Sequence, residues 1–105
     1  MLCALTVRRL KPGTFEQFRE AFMGHASPES VPAGWVRFSM IRGMEDPDEV
    51  VCFGFFDGSL EEMRGAGREG YDRQMADIAP YVASVGTDAI FDVVEDYSRT
   101  RAAAG

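Results

Sequence analysis

The feature that most constrains this chain is a run at residues 50–57 that is apolar on both faces of an extended strand. Alternate side chains of a strand point to opposite faces. One face would carry Val51, Phe53 and Phe55, and the other Val50, Cys52 and Phe56. Both faces of such a strand must be buried from water. In a chain of 105 residues one layer of helices can cover one side, so we expect a second subunit to cover the other.

The run is preceded by a second apolar segment, residues 35–42, which is also rich in aromatic and β-branched residues. The joining segment 43–49 holds glycine, proline and acidic residues, which favour turns. Residues 35–57 are therefore predicted to form a β-hairpin.

The chain before the hairpin is predicted to hold one strand and one helix. Residues 2–10 alternate as a strand, and Lys11-Pro12-Gly13 interrupts it. Thr14 with Gln17 three residues later matches a capping box, which predicts a helix that ends near Gly24. Residues 24–34, with two prolines and no periodicity, are predicted to be a loop.

A helix and a strand are predicted after the hairpin. Ser59 and Glu62 form a second capping-box pattern, and the glycines of residues 65–70 are predicted to break the helix that follows. Residues 71–85 carry apolar side chains at helical spacing, with a kink or a fresh helix start expected at Pro80. Residues 89–97 are predicted to form the last strand.

This order of elements, βαββαβ, predicts a ferredoxin-like α+β sandwich with an antiparallel four-stranded sheet of order 4-1-3-2. We expect one domain over residues 1–97 and a flexible tail over residues 98–105. The apolar sets expected under the helices are Cys3, Leu5 and Val7; Val36, Phe38 and Met40; and Phe91 and Val93. The opposite face is expected to carry Thr6, Arg8, Trp35, Arg37, Ser39, Ile41 and Asp92.

Composition excludes some classes of partner. The formal net charge of −6 argues against nucleic acid, since binding phosphates needs a basic surface. No run approaches the length of a membrane span, and the N-terminus does not resemble a signal peptide. Cys3 and Cys52 show no metal-ligand or redox spacing, so we expect reduced cysteines in a cytoplasmic protein.

Residues 2–97 resemble the dimeric α+β barrel superfamily, and more narrowly the antibiotic biosynthesis monooxygenase-like domains. The resemblance lies in the βαββαβ order, in the aromatic strand Val-Cys-Phe-Gly-Phe-Phe-Asp at 51–57 leading into Ser-Leu-Glu-Glu-Met at 59–63, and in the helix end Met-Ala-Asp-Ile-Ala-Pro-Tyr-Val at 75–82. It implies a homodimer in which two open sheet faces meet. It also implies a pocket in each subunit between the sheet and its helices or loop, and no cofactor.

His25 is the only histidine and therefore the natural candidate for an acid–base step near neutral pH. It also follows a predicted helix end, where an imidazole can hydrogen-bond the last carbonyls. The cofactor-free oxygenases of the resembling family are described with an asparagine in a polar and aromatic site, and this chain contains no asparagine. No metal site is expected, because no second histidine or suitably spaced cysteine accompanies His25.

Five further residues are candidates for ligand binding. Trp35 could stack on a planar ligand or fill the dimer interface. Arg37 could bind a substrate carboxylate or form an intersubunit salt bridge with Asp92. Ser39 is expected beside them, and Tyr71, a helix-face residue, could donate a hydrogen bond from its hydroxyl.

The function predicted from the sequence is that of a homodimeric α+β barrel protein that binds a small, mainly apolar or aromatic ligand. One alternative is a cofactor-independent monooxygenase or isomerase acting on an aromatic or polyketide-like substrate. The other is a structural or regulatory dimer without a ligand.

Overall fold

The computed structural model describes residues 1–24 and 31–97. They form four strands and three α-helices. In chain order these are β1 (Leu2–Leu10), α1 (Phe15–Met23), β2 (Trp35–Arg42), β3 (Glu49–Phe56), α2 (Leu60–Gly65), α3 (Arg68–Ile78), a 3-10 turn (Ala79–Tyr81) and β4 (Val82–Asp92).

The strands form one antiparallel sheet of order β2-β3-β1-β4, which confirms the predicted ferredoxin-like order 4-1-3-2 read from the other edge. β1 lies at the centre between β3 and β4, and β2 pairs only with β3 along the predicted hairpin. The helices cover one side of this sheet, which we call the helix side. The other side is called the open face.

The core lies between the helix side of the sheet and the helices. Phe18 and Phe22 of α1 lie four residues apart on one face of the helix, and both are buried. They pack with Leu10, Val50, Cys52 and Ile78. The helices α1 and α3 are tied together by the Gln74 side-chain amide, which donates to the Phe22 carbonyl at 2.8 Å.

The two predicted capping boxes have different outcomes. The Ser59 hydroxyl accepts from the Glu62 backbone N–H, and the Glu62 carboxylate accepts from the Ser59 N–H, which confirms the box at α2. The prediction for Thr14 was wrong. Its hydroxyl donates to the Lys11 carbonyl at 2.8 Å instead, so it stabilises the turn before α1 rather than the first N–H groups of the helix.

The predicted break within residues 65–70 is confirmed. Gly67 separates α2 from α3 with φ of 69°, a left-handed conformation that glycine adopts without strain. A Cβ at Gly67 would also lie 2.6 Å from the Pro32 side chain, so the close approach of the two segments requires glycine here.

The end of the last helix and the start of the last strand were predicted wrongly. α3 ends at Ile78, and Pro80 lies in the 3-10 turn, where its missing N–H breaks the helical hydrogen bonds. β4 begins at Val82, so Val82 and Val85 are strand residues whose spacing only imitates a helix. Residues 93–97, predicted to be strand, follow the end of β4.

The predicted faces of β1 and β4 were also wrong. Arg8 of β1 is buried against α1, so the even-numbered β1 residues point to the helix side. Side chains of directly paired residues share a face, and Cys3 pairs with both Phe55 and Phe91. Cys3, Leu5, Val7 and Phe91 therefore lie on the open face, and Thr6, Arg8 and Asp92 on the helix side.

The predicted faces of β2 were only partly right, because a β-bulge lies between Trp35 and Arg37. After the bulge Phe38 and Met40 face the helices as predicted, and Phe38 stacks on Phe22 at 5.3 Å. Val36 lies in the bulge and is exposed, contrary to prediction. The bulge also turns Trp35 to the helix side, where its ring meets the Phe56 ring edge-on at 5.2 Å.

Candidate functional site

The candidate site is an open cleft on the helix side, between the β1–β4 pair and α3. It has a volume of about 360 Å³. Its apolar wall comes from Met75 and Ile78 of α3 and Val85 of β4. The polar residues that line it come from the two strands and are Thr6, Arg8, Ser84 and Asp88. We call this the helix-side cleft.

Arg8 is the buried polar residue of this cleft, with 5% of its surface exposed. One terminal nitrogen, Nη2, donates a weak hydrogen bond to the Met75 sulfur at 3.5 Å. The guanidinium carbon lies 5.9 Å and 5.7 Å from the centres of the Phe18 and Phe22 rings, close enough for cation–π contacts. The other terminal nitrogen, Nη1, has no hydrogen-bond partner in the described chain.

Cys52, on the neighbouring strand β3, supplies no negative charge to Arg8. Burial raises the pKa of the Cys52 thiol to about 11, although the Arg8 guanidinium favours the thiolate and offsets part of this effect. Near neutral pH Cys52 is therefore a neutral thiol. Four groups of the described residues surround the Arg8 guanidinium: the Met75 thioether, the Phe18 and Phe22 rings and this thiol. None of the four carries a charge.

Thr6 and Asp88 form the polar edge of the cleft. They are partners in the β1–β4 register, and the Thr6 hydroxyl donates to the Asp88 carboxylate at 3.2 Å. Arg8 follows Thr6 on the same face, about 7 Å further along the strand. The salt bridges found among the described residues involve Arg9, Arg19 and Arg68.

A second open cleft of about 470 Å³ continues along the same strip of sheet, between β4 and α2, and shares Asp88 with the first. Leu2, Leu60 and Ile90 line it with apolar side chains. Arg64 contributes a positive charge to this cleft and Asp92 a negative one.

The open face is the other unusual surface. Its paired residues on β1, β3 and β4 are predominantly apolar, and the described chain lays no helix over it. Phe91 is 48% exposed and Ile41 52% exposed. The apolar members are Cys3, Leu5, Val7, Ile41, Val51, Phe53, Phe55, Ala89 and Phe91.

The structure separates the site residues predicted from the sequence. His25 lies outside the described residues. Arg37 and Ser39 lie on the open face, where they pair with Phe55 and Phe53, and the Arg37 guanidinium lies 6.0 Å from the Phe55 ring centre. Trp35 lies on the opposite side of the sheet, against Phe56.

The other two predicted site residues, Tyr71 and Asp92, also lie in different parts of the structure. Tyr71 is 43% exposed on α3 and lies against Arg68. Asp92 lies in the second cleft, on the helix side. An ion pair between Arg37 and Asp92 across a dimer of open faces is therefore excluded by their positions on opposite faces.

Sequence reasoning missed Arg8 as a site residue. It placed Arg8 on the open face because Cys3, Leu5 and Val7 form the more apolar side of β1. The alternation of side chains along β1 could have shown that Thr6 and Arg8 belong to the same site. It places both residues on one face of the strand, whichever side of the sheet that face occupies.

Two kinds of feature are absent from the described residues. No group of three or more histidine, cysteine or acidic side chains is arranged to hold a metal ion in residues 1–24 and 31–97. No helix in the same part of the chain is long and apolar enough to cross a membrane.

No family profile matches the sequence, and no curated protein matches it. Solved structures do match. An antibiotic biosynthesis monooxygenase-like protein from Nitrosomonas europaea superposes with a TM-score of 0.74 at 19% identity, covering 90% of this chain and 100% of that one. One from Chloroflexus aurantiacus gives 0.72 at 16% identity, covering 92% and 96%.

A protein from Mycobacterium tuberculosis superposes with a TM-score of 0.70 at 15% identity, covering 92% of this chain and 98% of that one. These identities are too low to transfer an activity, and the similarity establishes the fold alone. The chain has the fold of the antibiotic biosynthesis monooxygenase-like proteins over nearly its whole length.

Proposed function

We propose that this protein is a homodimer, joined through its open face, that binds a small and mainly apolar ligand in the helix-side cleft. The observation that carries the proposal is the make-up of that cleft: an apolar wall with a few convergent polar side chains, one of them a buried arginine. Small-molecule sites are usually built in this way.

The size and composition of the open face support the homodimer. Four strands of eight or more residues give a face of roughly 19 by 26 Å, or roughly 500 Å². Apolar side chains cover most of this face, which also carries Arg37 and Ser39, and the largest apolar patches on monomers are of about this size. The same face of a second copy is the most economical cover, since a two-fold axis brings identical apolar surfaces together.

The dimer is tested by placing a charge at the centre of the open face. Phe53 pairs with Leu5 and Ser39 and contacts the Phe55 ring, so Phe53→Lys should give a monomer in light scattering. Met44→Lys, at a fully exposed position of the hairpin turn, is the control and should remain dimeric. A wild-type chain that is monomeric at micromolar concentration would refute the dimer.

The ligand site is tested by filling the cleft. Val85 and Val36 are similarly exposed, at 52% and 59%, but only Val85 lines the cleft. Cinnamate and cinnamamide are titrated while backbone amide NMR signals are followed. We expect shifts around Met75 and Ile78 that Val85→Trp abolishes and Val36→Trp preserves. If Val85→Trp did not affect binding, the ligand site would lie outside this cleft.

The alternative is a cofactor-independent monooxygenase or isomerase acting on an aromatic substrate. It is favoured by the similarity in fold to the antibiotic biosynthesis monooxygenase-like proteins from Nitrosomonas europaea and Chloroflexus aurantiacus. Aerobic incubation with phenolic substrates, followed by oxygen consumption and product analysis, tests it. Loss of turnover in His25→Ala would support a proton-transfer role for the histidine, and unchanged turnover would exclude it.

We place the protein in the cytoplasm, where thiols are kept reduced. Both cysteines, Cys3 and Cys52, are free thiols in the structure.

A further inference from the structure

Met75 combines two features that bear on the chemistry of its sulfur. It lies on α3, where it is partly buried against the core and also lines the open helix-side cleft. Its thioether sulfur accepts a hydrogen bond from Nη2 of Arg8 at 3.5 Å. The sulfur of Met75 is therefore beside a cleft open to small solutes and in contact with a positively charged donor.

The Arg8 guanidinium is short of good hydrogen-bond acceptors. Its side chain is buried, and Nη1 has no hydrogen-bond partner in the described chain. The Phe18 and Phe22 rings attract the cation through their faces, whereas guanidinium N–H groups point outward in their own plane. Nη2 has only a thioether, which is a weak acceptor. An oxygen atom bonded to the Met75 sulfur would give Nη2 a strong acceptor.

A hydroperoxide supplies that oxygen by a known reaction of methionine. With hydrogen peroxide, a sulfur lone pair attacks one peroxide oxygen, so the S–O bond forms as the O–O bond breaks. The other oxygen leaves as hydroxide and takes the proton of the transferred oxygen to become water. The sulfur loses two electrons and becomes a sulfoxide, and the peroxide is reduced to water.

The usual result of this reaction in a packed region is disruption, because a flexible apolar side chain becomes polar. A buried polar oxygen is costly only when it has no hydrogen-bond donor. At Met75 the donor is already in place, since Arg8 Nη2 contacts the sulfur. The three rotatable bonds of methionine allow the oxygen to turn towards the guanidinium.

We propose that Met75 is a hydroperoxide-sensitive modification site, and that its sulfoxide oxygen accepts a charge-assisted hydrogen bond from Arg8 Nη2. Such bonds are about twice as strong as neutral ones. The bond ties α3 to β1, and the oxygen makes part of the apolar wall of the cleft polar. This inference goes beyond the proposed function, because it needs neither a ligand in the cleft nor a dimer.

The first test locates the oxidised residues. The folded full chain is treated with hydrogen peroxide and its peptides are analysed by mass spectrometry. Met44, which is fully exposed, is the positive control, and Met63, which is 6% exposed, is the protected one. We expect sulfoxide at Met44 and Met75 and an unmodified Met63. An unmodified Met75 in a protein fully oxidised at Met44 would overturn the proposal.

The second test measures the thermal midpoint of the wild type and of Met75→Leu before and after oxidation. The two proteins share their remaining methionines and both cysteines, so the difference between them reports on Met75. We expect oxidation to lower the midpoint of the wild type no more than that of Met75→Leu. A larger fall in the wild type would mean that the sulfoxide disrupts packing, and would overturn the proposal.

The third test removes the donor. In Arg8→Leu, oxidation of Met75 should lower the midpoint by about 4–8 °C more than oxidation of the double variant Arg8→Leu/Met75→Leu. Arg9→Leu is the matched control. Arg9 is the next residue, points to the other face of β1 and pairs with Asp46, so this variant should behave as the wild type does.

If the sulfoxide were tolerated equally well in Arg8→Leu and in the wild type, the role of Arg8 would be refuted. If Arg8→Leu did not fold, the comparison of the wild type with Met75→Leu would still decide whether the sulfoxide at Met75 is accommodated. None of these outcomes depends on ligand binding, so the failure of this inference is distinct from the failure of the proposed function.

Discussion

Gly54 is the residue that allows the Trp35 ring to lie on the helix side of β3. A Cβ at this position would be 2.9 Å and 3.2 Å from two ring atoms of Trp35. Gly54→Val should therefore displace the ring and lower the free energy of unfolding by about 1–3 kcal/mol. Chemical denaturation followed by fluorescence measures both effects, since Trp35 is the only tryptophan.

Gly70→Ala is the control for that substitution. Gly70 lies inside α3, and an added Cβ would meet nothing within 4 Å. Alanine there should stabilise the protein by about 0.5–1 kcal/mol, because glycine is a poor helix former. If Gly54→Val were as stable as the wild type, the close packing of Trp35 on β3 would be wrong.

Arg9 and Asp46 form a surface pair with a pH dependence that can be measured. The Arg9 guanidinium, hydrogen-bonded to the carboxylate at 2.6 Å, holds the pKa of Asp46 below its ordinary value. Arg9→Met should raise that pKa, as followed by the carboxyl NMR signal of Asp46. Arg19→Met, which removes the partner of Glu16 instead, should leave it unchanged.

The sign of the effect on stability follows from linkage. Because the pKa of Asp46 is lower in the folded than in the unfolded protein, the pair stabilises the fold above the unfolded pKa. That contribution disappears as the pH falls through the folded pKa. The stability difference between the wild type and Arg9→Met should therefore vanish in acid, and a difference that grew there would contradict the assignment.

At the scale of single elements, α2 depends on its cap. The helix has only six residues, so the reciprocal hydrogen bonds of Ser59 and Glu62 satisfy a large share of its free N–H groups. Ser59→Ala should lower the free energy of unfolding by about 1 kcal/mol. Ser59→Asn should keep most of the stability, and equal losses in the two variants would show that the hydroxyl does not act as a cap.

The elements β4 and β2 show where sequence patterns mislead. Val82 and Val85 continue the helical spacing of α3, but Pro80 ends the helix before them, and pairing with β1 decides their structure. In β2 one extra residue at the bulge reverses the face of Trp35 relative to Arg37. Neither change can be read from periodicity, because both depend on how the strand pairs with another strand.

At the scale of the whole molecule, the proposed dimer predicts the reactivity of the two thiols. Cys3 lies on the open face, beside Phe55 and Phe91, and a partner subunit would cover it. Alkylation at Cys3, located by peptide mass spectrometry, should be slow in the wild type and much faster in Phe53→Lys. Equal rates in the two proteins would argue against a dimer through this face.

Cys52 is the internal reference for that experiment. It is buried in the core, and burial raises the pKa of its thiol to about 11. Its alkylation should therefore be slow in both proteins and require unfolding. Fast alkylation of Cys52 in Phe53→Lys would mean that the variant is unfolded rather than monomeric.

The sequence by itself determined the order of the elements, the ferredoxin-like sheet, the cap of α2 and the two-sided strand β3. Those features depend on neighbours along the chain: turn residues, capping pairs and the alternation of apolar side chains. The tertiary structure alone decided which face of β1 the helices cover. That choice follows from pairing and packing between distant segments, and it set the most apolar side of β1 on the open face and Arg8 in the cleft.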